Sequence, residues 1–123
     1  MNDLSRLWVA AGAINAMLSV AAGAFGAHAL RQRLEPRMLE VFEVGARYQM
    51  FHALGMLAVA WVASQRAGAS AAGWAMLAGV VLFSGSLYAM ALTGVRALGA
   101  ITPIGGVAFL VGWALLARAA LLR

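Results

Sequence analysis

The sequence predicts an all-α integral membrane protein, a four-helix bundle in up-down-up-down order with an amphipathic lead-in to the second helix. Two observations predict this fold. Hydrophobic residues make up 64% of the 123 residues and charged residues only 11%, which is too little polar surface to coat a soluble protein of this size. Four apolar segments, each near the roughly 20 residues that cross a bilayer, nearly exhaust the chain. We therefore expect a single transmembrane domain over residues 1–123.

The first predicted helix covers about residues 7–28, which are apolar apart from Asn15 and Ser19. A secretory signal peptide is the alternative, because Arg6 precedes the apolar stretch and residues 27–29 resemble a small-residue cleavage site. However, the stretch is longer than the roughly 7 to 15 apolar residues of a signal peptide. We therefore expect it to be retained as a transmembrane helix.

The second predicted helix covers about residues 36–64. Pro36 suits its first position, because the missing N–H of proline costs nothing there. Apolar residues then recur along one stripe from Leu34 to Gly45, which predicts an amphipathic start lying at the level of the lipid headgroups. The charged residues of this region lie largely off the stripe: Arg37, Glu40, Glu43 and Arg47.

The third predicted helix covers about residues 72–93 and follows a short polar turn. The fourth covers about residues 100–117 and follows a tight connection at residues 94–99. Pro103 falls in its first turn, where proline is tolerated. Four crossings place both termini on one side of the membrane, but the arginines are distributed too evenly to indicate which side that is.

Small residues recur every three or four positions along three of the predicted helices. In lipid, such faces allow helix backbones to approach closely, so a tight bundle is the first interpretation and a ligand cavity is the alternative. The predicted packing residues are Gly12, Asn15, Ser19, Gly23, Gly26, Gly79, Ser86, Gly105 and Gly112.

The stronger polar residues gather near helix ends that an alternating topology places on one side of the membrane. Ionisable groups are costly to bury in lipid, so one interpretation is a binding or proton-handling site. A structural polar cap is the other, because such side chains reach the interface and a histidine with a polar partner is commonly structural. The candidates are His28, Arg47, Tyr48, Gln49, His52, Tyr88, Arg96 and Thr102.

The composition argues against most catalytic chemistry. The net charge of +5 comes from basic residues spread over helix ends, which favours lipid headgroups over nucleic acid as the partner. Cysteine is absent and there are only two histidines, so the ligands of a structural zinc site are lacking. The four carboxylates lie outside the apolar segments or in the lead-in, where they form no acid–base pair inside the bundle. We expect no enzyme activity, no metal and no cofactor.

Four ordered motifs resemble the small membrane proteins grouped as domain of unknown function 423. The motifs are GAFGAH at residues 23–28, RYQMFHA at 47–53, LFSGSLY at 82–88 and ITPIGG at 101–106. The resemblance covers essentially the whole chain, and the family includes bacterial inner-membrane members and a eukaryotic transmembrane relative. It implies a four-helix protein of the bacterial inner membrane and brings no activity with it. The motifs contain much of the polar set, which supports a shared role without naming it.

These features favour a non-enzymatic accessory or scaffold subunit that docks on a larger membrane complex or on a second copy of itself. The alternative is a protein that binds or transports a lipid, quinone or other amphiphile, whose polar head contacts His28, Gln49, His52 and Thr102. An intramembrane enzyme or proton-coupled carrier is a third hypothesis. The expected partners are membrane lipids and a membrane protein or second copy, not nucleic acid.

Overall fold

The computed structural model describes residues 1–122, which form four helices and no strand. We number the helices α1 (Asp3–Leu30), α2 (Pro36–Ala63), α3 (Ala67–Thr93) and α4 (Arg96–Leu121). The all-helical fold is therefore as predicted.

Three of the helices extend beyond their predicted limits. α1 begins at Asp3 because the side chain of Asn2 caps it, accepting a hydrogen bond from the Ser5 N–H at 2.8 Å. α3 and α4 each begin with a short 3-10 turn, so the predicted connection at residues 94–99 is largely helical. Gly94, with a φ of 74°, ends α3 in the left-handed conformation that glycine adopts readily.

Two helices contain a π-helical segment that the sequence does not predict. These segments are Ala21–Gly26 in α1 and Val80–Ser84 in α3. Each is closed by a backbone bond that spans five residues, such as the one from the Gly85 N–H to the Val80 carbonyl. Single π turns are rare and frequently occur at functional sites. Each overlaps one of the sequence motifs that carry the family resemblance.

α2 is the central helix and packs against the other three. Its partner α1 runs in the opposite direction, because Asn2 Nδ2 donates to the Ala63 carbonyl at 3.2 Å while Ser19 Oγ donates to the Ala46 carbonyl at 2.6 Å. Each bond joins a polar side chain, one capping α1 and one on it, to the backbone of α2. Hydrogen bonds therefore hold these two helices together.

α3 and α4 are joined mainly by close contacts at glycines. A Cβ atom at Gly105 would lie 2.3 Å from the backbone nitrogen of Phe83, and one at Gly79 would lie 2.3 Å from the ring of Phe109. Both distances are shorter than ordinary Cβ contacts, so an added Cβ at Gly105 would displace the backbone of α3 and one at Gly79 would displace the Phe109 ring. The order of these contacts shows that α4 runs opposite to α3.

The apolar core is divided into two clusters, one at each end of the bundle. The larger surrounds Trp8, Met56 and Met76, and the smaller surrounds Phe42. Gln49 lies between the two along α2. The interior of the bundle is therefore polar near its middle and apolar at both ends.

Among residues 1–122, three helices are long and apolar enough to cross a membrane: α1, α3 and α4. α2 is not one of the three, because Arg47, Gln49 and His52 lower its hydropathy. Gln49 and His52 are nevertheless buried. Their polar groups therefore face the interior of the bundle rather than lipid.

Candidate functional site

A chain of buried polar side chains links three helices through Gln49. Its Nε2 donates to Asn15 Oδ1 at 3.0 Å, and its Oε1 accepts a hydrogen bond from the Tyr88 hydroxyl at 2.7 Å. Asn15 Nδ2 in turn donates to the Ala11 carbonyl at 2.9 Å. Because these groups satisfy one another, they form a structural network that ties α1, α2 and α3 together.

His52, one turn further along α2, has both ring nitrogens engaged. Trp113 Nε1 donates to His52 Nε2 at 2.9 Å, and His52 Nδ1 lies 2.7 Å from the Tyr48 carbonyl. An indole N–H only donates, so Nε2 must accept and the ring proton must be on Nδ1. The ring also stacks on Phe109, with 3.5 Å between centroids. The imidazole is thus held as part of a wall, and neither nitrogen is free for a ligand.

This wall belongs to a groove of about 580 Å³ between α2 and α4. The volume falls in the usual range of small-molecule sites. The groove opens on the outer surface of the bundle, where Phe51, Leu54 and Leu110 are exposed. Its lining is almost wholly aromatic and aliphatic, consisting of Tyr48, Phe51, His52, Leu54, Phe83, Gly106, Phe109, Leu110 and Trp113.

Two consecutive glycines explain why the groove is open. Gly105 faces α3 and lets α4 approach the backbone of Phe83. Gly106 is turned toward the groove, where an added Cβ would meet only the Phe83 ring, at 3.9 Å. The ITPIGG motif therefore contains one glycine for close packing and one that leaves space.

The eight predicted polar residues do not form a single site. Gln49 and Tyr88 belong to the buried network, whereas Tyr48 and His52 line the groove. The Thr102 hydroxyl lies 2.6 Å from that of Ser86, in a separate hydrogen bond between α3 and α4. The remaining three are exposed: His28, Arg47 and Arg96.

The predicted packing residues mostly lie between helices. Gly12, Asn15 and Ser19 are buried on the side of α1 that faces α2. Gly23 is the exception, being exposed, with the Ala46 Cβ 3.7 Å from the position of an added Cβ. The other five are in contact with a neighbouring helix: Gly26, Gly79, Ser86, Gly105 and Gly112.

Most of the groove wall was not predicted from the sequence. Phe83, Phe109 and Trp113 were not among the candidates, although Phe109 and Trp113 are four residues apart and so share one face of α4. That spacing, beside the glycine pair, was the available signal. For a metal there is no comparable arrangement, since within residues 1–122 no three His, Asp or Glu side chains are grouped closely enough to hold an ion.

The fold is an all-helical bundle in which three helices are able to cross a membrane. An apolar groove opens on its outer surface. These features define a small multi-pass membrane protein. The family described as protein of unknown function (DUF423) matches residues 22–106, and this chain belongs to that family. All four motifs that carry the resemblance fall inside the matched region. The predicted family is therefore confirmed.

Similar proteins occur in several bacteria. The chain is 48% identical to the UPF0382 membrane protein YwdK of Bacillus subtilis over 118 residues, which cover 94% of this chain and 96% of the relative. It is 47% identical to the UPF0382 membrane protein SSP2132 of Staphylococcus saprophyticus over 90% of this chain and 93% of the relative. No solved structure matches the chain. The names of these relatives confirm the predicted membrane localisation.

Proposed function

We propose that this protein is a non-enzymatic membrane protein that holds the apolar part of an amphiphile in the groove between α2 and α4. The groove itself is the observation that carries the proposal. It is large enough for a small ligand, it is lined by aromatic rings, and it opens on a surface of exposed apolar side chains. An amphiphile dissolved in the bilayer would reach it without crossing water.

The hydrogen bonds in the wall favour an apolar occupant. His52 uses its two nitrogens within the chain, on Trp113 and on the Tyr48 carbonyl. A quinone oxygen or lipid headgroup in the groove would find no free partner on this imidazole. A hydrocarbon chain needs no hydrogen-bond partner, and it gains dispersion contacts with the aromatic walls. We therefore place the hydrocarbon part of the ligand in the groove and its polar part outside the groove.

The same contacts support the proposal that the protein is not an enzyme. Nucleophilic catalysis by serine requires a hydroxyl hydrogen-bonded to a general base such as histidine. Here the nitrogens of His52 are occupied, and Ser5 and Ser19 donate to backbone carbonyls. These side chains therefore serve to pack the helices against one another.

We further propose that all four helices cross the membrane in up-down-up-down order. The opposed directions of α1 and α2, and of α3 and α4, support it. The 28 residues of α2 extend about 42 Å, more than the roughly 30 Å of hydrocarbon that a helix must cross. That excess leaves room for an amphipathic lead-in, with exposed Arg37 and Glu40, at the headgroup level.

Native mass spectrometry of the protein, released gently from its own membrane, tests the groove directly. Gly106→Leu places a leucine side chain in the groove, whereas Val107→Leu places the same side chain at an exposed position outside it, in exchange for valine. We expect a retained small molecule of lipid mass on the parent protein and on Val107→Leu, and its loss from Gly106→Leu. An equal amount retained by all three proteins, or none by the parent, would contradict the proposal.

A second candidate, the accessory or self-associating subunit, is favoured by a shallow apolar groove of about 340 Å³ on α3. Its lining includes Trp74, Ala78 and Val81, and small residues flanked by large ones suit the docking of another helix. The chain has no cysteine, so Ala78→Cys and, as a control on α1, Ala13→Cys each supply a single thiol. A disulfide-linked dimer from Ala78→Cys alone would support this role, and equal crosslinking at both positions would count against it.

A further inference from the structure

Arg47 lies at the depth of the apolar part of α1. The bond from Ser19 Oγ to the Ala46 carbonyl, 2.6 Å long, places α2 residues 46 and 47 beside Ser19. Ser19 is well inside the apolar stretch that runs from about residue 7 to residue 28. An arginine at this depth is costly unless a partner or the membrane interface receives its charge. The position of Arg47 therefore needs a physical explanation.

The side chain of Arg47 is turned to the outside of the bundle. It is exposed and lines a cavity of about 260 Å³ beside α1, together with Ser19, Gly23 and Glu43. Glu43, one helical turn before Arg47, offsets part of the positive charge. Since this cavity lies on the outside of the bundle, a membrane lipid can supply the remaining partner for the guanidinium.

Arg47 also lies next to the entrance of the groove between α2 and α4. Phe51, on the groove wall, follows Arg47 by four residues, so the two share one face of α2 about 6 Å apart. Helical side chains point toward the N-terminus of their helix, which directs the guanidinium away from the groove and toward the end of α2 that carries Arg37. The charge is therefore placed between the groove and the headgroup layer.

We propose that the amphiphile is a phospholipid whose phosphate group binds Arg47 and whose acyl chain passes Phe51 into the groove. This inference rests on the proposed function of the groove. The guanidinium offers paired N–H donors that match phosphate oxygens, and it stays charged at this depth. Glu43 faces the same cavity and repels additional negative charge. A phosphodiester with a single charge therefore fits better than a phosphomonoester.

The test compares two lipids with identical acyl chains, phosphatidylglycerol and diacylglycerol, titrated into the detergent-solubilised protein and measured by native mass spectrometry. We expect Arg47→Gln to weaken binding of phosphatidylglycerol about tenfold, the effect of losing one charge-assisted hydrogen bond. Binding of diacylglycerol should not change. Arg118→Gln removes another exposed arginine and should change neither lipid. Arg47→Lys keeps the charge and should retain part of the preference for phosphatidylglycerol. It also tests the phosphate contact if Arg47→Gln fails to fold.

The outcomes separate the two proposals. If the parent protein binds neither lipid better than Gly106→Leu does, the groove function itself fails. If the parent binds both lipids and Arg47→Gln leaves their ratio unchanged, the groove stands and the phosphate contact is overturned. Displacement of phosphatidylglycerol by inorganic phosphate at the same concentration would show a site for free phosphate, which also overturns the phospholipid assignment.

Discussion

The α1–α2 and α3–α4 interfaces use the same two packing devices in different proportions. Hydrogen bonds prevail in the first and glycine contacts in the second, although Gly12 of α1 also approaches the Ala53 carbonyl and Ser86 of α3 also bonds to Thr102. Across the first, Asn2, Ser5 and Ser19 each donate a hydrogen bond to a backbone carbonyl of α2. Across the second, glycines admit large groups of the opposite helix. Lipid gives helices no hydrophobic reason to associate, so both hydrogen bonds and close backbone contact are useful there.

The difference explains where the groove lies. Within residues 1–122, no row of hydroxyl-to-carbonyl bonds joins α2 to α4, and where a glycine of α2 faces α4, at Gly55, an added Cβ would meet the Trp113 ring at 3.0 Å rather than the backbone of α4. Aromatic side chains separate them, with Phe109 stacked on His52 and Trp113 bonded to it. Bulky rings hold the two helices apart and leave space between them. The groove is therefore open because rings separate α2 from α4, whereas α1 and α2, and α3 and α4, approach each other closely.

The largest effect is expected at the α3–α4 interface, from Gly105→Ala. The new Cβ would lie 2.3 Å from the backbone nitrogen of Phe83, so α4 must move as a whole. We expect the free energy of unfolding to fall by about 3 kcal/mol, the upper part of the range for overpacking. Gly106→Ala, with 3.9 Å of room, is the matched control and should have little effect. Denaturant titration in mixed micelles measures both, and equal losses would contradict the account.

A smaller effect is expected from Gln49→Leu in the buried network. The substitution leaves Asn15 and Tyr88 without their partner, which should cost about 1–2 kcal/mol of unfolding free energy. Replacing all three groups, with Asn15→Leu, Gln49→Leu and Tyr88→Phe together, removes the unpaired atoms and should restore most of the loss. If the same titration showed the triple variant to be less stable than Gln49→Leu, the network would contribute more than the pairing of its own polar groups.

The smallest effect concerns two neighbouring serines on α3. Ser86→Ala loses the contact with Thr102 at 2.6 Å and should lower the free energy of unfolding by about 0.6 kcal/mol, the average for such bonds between membrane helices. Ser84 is also buried, but within residues 1–122 its hydroxyl has no hydrogen-bond partner. Ser84→Ala should therefore be neutral or slightly stabilising. The reverse order of the two variants would contradict these assignments.

The family, the membrane setting and the helical fold could be predicted from the sequence because they depend on local composition and on short motifs. Pro36 marked the start of α2 for the same reason. The pairing of Gln49 with Asn15 and Tyr88 could not be predicted, since these partners lie 34 and 39 residues away and only the packing of α1 and α3 brings them together. The π-helical segments were not predicted because their alanine, glycine, valine and phenylalanine residues are equally compatible with an ordinary α-helix.

The candidate site was predicted by polarity, a criterion that selects residues with partners inside the chain as readily as residues that face a ligand. Gln49 and His52 stood out as costly residues in a membrane helix, and the structure gives them partners within the chain. The groove depends instead on Phe109, Trp113 and Gly106, which look ordinary in an apolar helix. Space between helices follows from side-chain shape, and one sequence does not show which aromatic rings will meet.

Photo-crosslinking from the groove tests the central claim most directly. A diazirine amino acid would replace Leu110, which lines the outer edge of the groove, and, in a second protein, Val107, which is exposed on the same helix outside the groove. After illumination in the native membrane, we expect one enriched lipid adduct at position 110 and a mixture at position 107 that follows the bulk lipid composition. The same mixture at both positions would show that the groove is ordinary lipid-facing surface and would contradict the account.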